Sequence, residues 1–323
     1  MHVRNDSHFR QPAGKRLLIP LLALLVAIPG CSDDDAADDR VLVVVTTNIL
    51  GDLVRNVVGD DARVEVLMPL GVDPHDFEPS SRQAAAIAAA DLVVINGLDL
   101  EPGLEDVIEG ARGDGTPVFA VAELVDPIPF VDQAAENAGG DEDGQNHGDL
   151  DPHVWMDPLR MAHAARLLGA RLSGVDPSVD WSASADGYAA ELEAAHARVE
   201  AILSSIPSER RALITNHEAL GYFAARYGFE VIGVVIPGGT TLAEPGSQQL
   251  AALVTLIDER RIAAIFAETT EPVTLAKALA AEADHPVEVV ILHTESLGEP
   301  GSPAATLVGM LEVNARLIAG ALG

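Results

Sequence analysis

From Val41 onward, short apolar runs rich in valine and isoleucine alternate with stretches whose apolar positions recur at helical spacing. The segments "VLVVV" (41–45), "RVEVLM" (63–68), "DLVVI" (91–95) and "PVFAV" (117–121) predict strands, and the stretches at about 48–58, 80–90 and 101–111 predict the helices between them. That order predicts a mainly parallel sheet covered by helices on both faces. After an interruption the alternation resumes with "RALIT" (211–215), "EVIGVVI" (230–236), "IAAIFA" (262–267) and "VEVVIL" (287–292), closing with a helix near 303–320. Between the two halves, a helix is expected after Pro158. A longer one follows, in which Tyr188, Leu192, Ala195, Val199, Ile202 and Ile206 form one apolar stripe over about six turns. The expected fold is α/β, with two (βα)4-type lobes joined by one long helix. Its parts are an N-terminal lobe over 41–180, a linking helix over 181–207 and a C-terminal lobe over 208–323. Ligands of such sheets sit beyond the carboxyl ends of the strands, so a shared ligand belongs in the cleft between the lobes.

Two segments fall outside the alternation. Residues 126–150, "DPIPFVDQAAENAGGDEDGQNHGDL", are rich in proline, glycine and acid and predict a surface loop. At the start of the chain, Arg4, Arg10, Lys15 and Arg16 precede the apolar run "LLIPLLALLVAI" (17–28), which has the plan of an export signal. The run is too short to span a bilayer as a helix, which takes about 20 apolar residues. It ends at Cys31, the only cysteine among 323 residues, and "SDDDAADD" after it predicts a flexible tether over 31–40. A single cysteine excludes an internal disulfide. With 20 Lys+Arg against 50 Asp+Glu, the formal charge is −30, which argues against a nucleic-acid partner.

The candidate chemistry lies in three histidines. "VDPHDFEP" places His75 after the second predicted strand, and "LDPHVWMDP" places His153 after the acidic loop, just before a helix. His217, in "ALITNHEALGYF", stands two residues past its strand, before a helix expected near Glu218. A proline immediately before His75 and His153 fixes the local backbone, and Asp73 and Asp151, two residues earlier, could orient a ring or cap a turn. A fourth ligand could come from His293 or Glu295 in "HTESL", or from Glu268, which as an acid at a helix start could equally be a cap. His163 and His196 fall inside helices, His285 in a short turn, and His147 in the acidic loop.

Taken in order after a lipoprotein-like signal, "DPHDFEP", "DPHVWMDP", "ITNHEALGYFAARYG" and "AAIFAETTEP" resemble the solute-binding proteins of bacterial zinc and manganese ABC transporters. The resemblance covers nearly all of the chain from Val41 onward. It implies metal ligands at His75, His153, His217 and Glu295, with Glu268 present but not a ligand. It also implies lipidation of Cys31 and an exported protein, either anchored to the outer face of the cytoplasmic membrane or periplasmic. The implied function is capture of a divalent metal and its delivery to a cognate ABC permease, by a monomer that performs no covalent chemistry. Three imidazoles and one carboxylate suit Zn2+ better than Mn2+, which favours more oxygen donors. A manganese carrier is the alternative within the family; a zinc-dependent hydrolase and a surface adhesin are alternatives of other kinds. Glu295, on a late segment beside a glycine, is expected to be the most replaceable of the four.

Overall fold

The alternation folds into two four-stranded sheets whose strand pairs are all parallel. In this computed structural model, residues 39–130, 150–237 and 239–323 are described. The first sheet holds β1 (Val41–Val45), β2 (Ala62–Val66), β3 (Leu92–Ile95) and β4 (Val118–Ala120) in the order β2-β1-β3-β4. The second holds β5 (Ala212–Thr215), β6 (Glu230–Val234), β7 (Ala264–Glu268) and β8 (Glu288–Leu292) in the order β6-β5-β7-β8. Both sheets therefore reverse their direction of growth beside their first strand, and each opens a crevice at its carboxyl edge there.

Local sequence explains where the helices begin. Thr47 caps α1 (Asn48–Val58) by accepting the Leu50 N–H, and Ser80 with Gln83 forms a capping box on α2 (Ser81–Ala88). The stretch expected at 101–111 starts as a tight turn over Pro102–Leu104 before α3 (Glu105–Gly113). Asp157 caps α4 (Pro158–Val175), whose first residue is proline. Next come α5 (Trp181–Leu203), α6 (Gly221–Tyr227), α7 (Ser247–Arg260), α8 (Thr274–Glu282) and α9 (Leu307–Leu322). The long helix α5 stops at Leu203, short of the expected 207. Pro207 disfavours a helical Ile206, so that residue is buried just beyond the helix end.

Packing follows the period-two pattern of the strands. Val43 and Val45 of β1 face one core with Leu53, Leu168, Leu192, Val199, Phe266 and Leu311, which joins both sheets through α1, α4, α5 and α9. Val44, on the opposite side, joins a second core with Val93, Ile87 and Ile108, and a third contains Ile214, Ile265, Leu253 and Leu279. Helices α4 and α5 pack closely at Gly169, where a Cβ would lie 2.6 Å from that of Ala185. Residues 131–149, which include His147 and most of the expected acidic loop, lie outside the described residues, as do the export signal and Cys31. No helix among the described residues is long and apolar enough to cross a membrane.

Candidate metal centre

The repeated Asp-Pro-His makes the same aspartate-to-histidine backbone bond at both places. The Asp73 carboxylate accepts the His75 N–H at 2.9 Å, and the Asp151 carboxylate accepts the His153 N–H at 2.9 Å. Each bond closes an Asx-type turn that continues into a single 3-10 turn, Pro74–Asp76 in one case and Val154–Met156 in the other. Beyond that shared bond the two copies diverge. Asp151 also holds the ring Nδ1 of His153 at 2.7 Å, whereas the second oxygen of Asp73 accepts the Thr241 hydroxyl from the other lobe. The His153 segment is fixed further by Asn96, past β3, whose side-chain N–H donates to the Pro152 carbonyl at 2.9 Å.

The second lobe brings His217 and Glu295. Helix α6 begins at Gly221 rather than near Glu218, leaving residues 216–220 to bend His217 inward; the Thr215 hydroxyl ties its carbonyl at 2.7 Å. Glu268, the last residue of β7, lies 2.5 Å from His217 Nδ1, and its other oxygen accepts the Thr294 hydroxyl at 2.8 Å. Glu268 thus orients a ring instead of capping a helix. Past β8 the chain turns at 293–296. Asn314 of α9 bonds both the N–H and the carbonyl of His293, and that ring stands apart from the cluster while Glu295 enters it.

His75, His153, His217 and Glu295 converge, with one donor atom from each lying within 4.8 Å of the others. His153 Nε2 and His217 Nε2 are 3.1 Å apart, and Glu295 Oε1 is 3.3 Å from each. A tetrahedral ion with bonds of 2.0–2.1 Å would space its ligands by about 3.3–3.4 Å. All four side chains are buried, with His75 the most exposed at 4%.

The electrostatics suit a cation. With Nδ1–H of His153 and His217 donated to Asp151 and Glu268, each neutral ring turns the Nε2 lone pair inward. Those lone pairs meet a buried carboxylate neither of whose oxygens has a hydrogen bond of good geometry. Lone pairs and a carboxylate this close are stable only around a proton or a metal ion. Accordingly, although burial alone would lower the pKa of His153, Glu295 and Asp151 push it up to about 9. Burial would likewise lower His217, but Glu268 and Glu295 hold it well above its ordinary value. Burial would raise Glu295, yet His153 and His217 keep it well below the ordinary carboxylate range.

Sequence reasoning missed several supporting residues. Tyr222 donates its hydroxyl to the Asp151 carbonyl at 2.6 Å and accepts the Ile128 N–H at 3.1 Å. Trp155 stacks edge-on against the His153 ring, with centroids 5.3 Å apart. The aromatic two places after that histidine was the visible signal. Asn48 gave none, because its partners in the Glu295 turn, Ser296 and Leu297, lie some 250 residues away. Of the remaining histidines, His163 is exposed, His196 meets the Tyr227 hydroxyl at 3.2 Å, and His285 lies between Asp258 and Asp284 on the surface of the second lobe.

Two parallel α/β lobes hold a buried cluster of three histidines and a carboxylate, the class of donor group that could hold a metal ion. Residues 43–321 match the zinc-uptake complex component A (ZnuA) family, described as periplasmic, and the chain belongs to that family. It is 32% identical over 297 residues to the zinc-binding protein TroA of Treponema pallidum, covering 90% of this chain and 92% of that one. It is 30% identical over 315 residues to the manganese-binding lipoprotein MntA of Bacillus subtilis, covering 95% and 98%. A solved structure of periplasmic TroA superposes with a TM-score of 0.77 at 29% identity, covering 88% of this chain and 99% of that one.

Proposed function

We propose that this protein captures Zn2+ outside the cytoplasmic membrane and delivers it to an ABC permease, with His75, His153, His217 and Glu295 as the ligands. The observation that carries this reading is the inward-facing donor set: two Nε2 atoms at 3.1 Å and a buried carboxylate oxygen 3.3 Å from both. The names of the relatives support metal binding, zinc in one case and manganese in the other. The chemistry of the cage favours zinc, because three imidazoles are soft for Mn2+ and four protein donors complete a tetrahedron. That completeness also separates the site from a hydrolytic zinc centre, which keeps a position open for water. On the same reading the chain acts as a monomer tethered through lipidated Cys31.

Equilibrium dialysis against buffered Zn2+ and Mn2+, with metal analysis of the protein, tests the function. One tightly held zinc per chain, measurably weakened on replacing any of the four ligands by alanine, is the expected result. Tight manganese with weak zinc would overturn the metal assignment.

A further inference from the structure

Glu295 belongs by sequence to the second lobe, but most of the bonds that hold its turn come from the first. Trp155 Nε1–H donates to the Thr294 carbonyl at 2.6 Å, on one side of Glu295. On the other side, Asn48 at the start of α1 accepts the Leu297 N–H at 2.8 Å and donates to the Ser296 hydroxyl at 3.2 Å. The Ser296 hydroxyl also accepts the Gly71 N–H at 2.8 Å, from the turn that leads to His75. Thr294, Ser296 and Asn48 are all buried. From its own lobe the turn receives the Thr294–Glu268 bond and, one residue upstream, the Asn314 clamp on His293.

Neither oxygen of Glu295 has a hydrogen bond of good geometry to hold it. The carboxylate position is therefore set by the backbone on either side, and that backbone is fixed by two side chains of the opposite lobe. Trp155 has a second contact with the cage, since its ring packs on His153. One indole thus spaces a histidine of the first lobe against the acid of the second.

We propose that Asn48 and Trp155 are positioning residues for Glu295, holding an acid encoded in the second lobe in register with the histidines of the first. This rests on the reading of Glu295 as a ligand. Neither residue touches the metal; each acts through the 294–297 backbone. A consequence is that opening the cleft must break these bonds or carry Glu295 with the first lobe and withdraw His217.

A double-mutant cycle tests this, with zinc affinity of the full chain measured by chelator competition. Asn48→Ala should weaken zinc about tenfold, the low end of what supporting groups contribute at metal sites. In a Glu295→Ala background the same change should cost nothing more. Trp155→Phe keeps an aromatic ring beside His153 but loses the N–H; it should show the same coupling and gives a second reading if Asn48→Ala fails to fold. Equal losses with and without Glu295 would overturn the proposal while leaving the ligand set intact. Wild-type zinc affinity in Glu295→Ala alone would overturn both.

Discussion

Replacing Asp151 by asparagine should weaken zinc binding by an amount that grows with pH. Asp151 is buried and bonds His153 at both the ring Nδ1, 2.7 Å, and the backbone N–H, 2.9 Å. Asparagine keeps the shape and one acceptor oxygen but removes the charge that makes the imidazole a stronger donor. Loss of such a partner costs about 10–100-fold in metal affinity, or about 1.4–2.7 kcal/mol. A second effect has the opposite sign. In the metal-free protein, His153 is pushed up to about 9, so at pH 7 a proton competes with the metal by about two powers of ten. Asp151 is one of the two carboxylates responsible, and its neutralisation lowers that competition. At pH 9 the competition has largely gone in both proteins and the full deficit is exposed; at pH 6.5–7 much of it is offset. Chelator competition at pH 6.5, 7.5 and 9 measures this directly. A deficit that is constant, or greatest at pH 6.5, would refute the reasoning.

The same protonation bears on stability. A folded value of about 9 for His153 lies above its ordinary 6.5, so its contribution is fully present below about pH 6.5 and lost as pH rises through 9. Thermal melts of EDTA-treated protein should therefore fall between pH 6.5 and 9, while the zinc-loaded protein, with a metal in place of that proton, holds its midpoint better. Gly221→Ala would drive a Cβ into Asp151 Oδ2; it should lower stability by about 1–3 kcal/mol and weaken zinc, as read by melting and titration. Deleting residues 131–149 should leave zinc affinity unchanged, because the four clustered donors lie elsewhere and the Pro129–Leu150 bridge flanks the cut. Cys31→Ser should move the protein from the membrane fraction to the soluble one with its zinc affinity unaltered.

The strands were legible because a parallel sheet buried on both faces writes itself as continuous runs, and "VLVVV" became β1 with the expected ends. Helix ends were less so. The inward bend at His217 delays α6 to Gly221, a demand made by the cage rather than by local propensity. His75, His153 and His217 could be picked out because prolines and strand ends surround them. The order of their supports could not. Asp73 and Asp151 occupy equal places in the repeat, yet only Asp151 reaches the ring, since Thr241 engages Asp73 from across the cleft. Glu295, expected to be replaceable on a glycine-flanked loop, is 1% exposed and braced by Asn48 and Trp155. Those partners are 247 and 140 residues away in sequence, where no local pattern can report them.

The most direct test of the ligand set is a crystal structure of the zinc-loaded protein with anomalous data at the zinc edge. The cage predicts one strong peak about 2.0–2.1 Å from a ring nitrogen of His75, from Nε2 of His153 and His217, and from a Glu295 oxygen. A principal peak at the surface group Asp258, Asp284 and His285, or one in which His293 replaces Glu295, would contradict it.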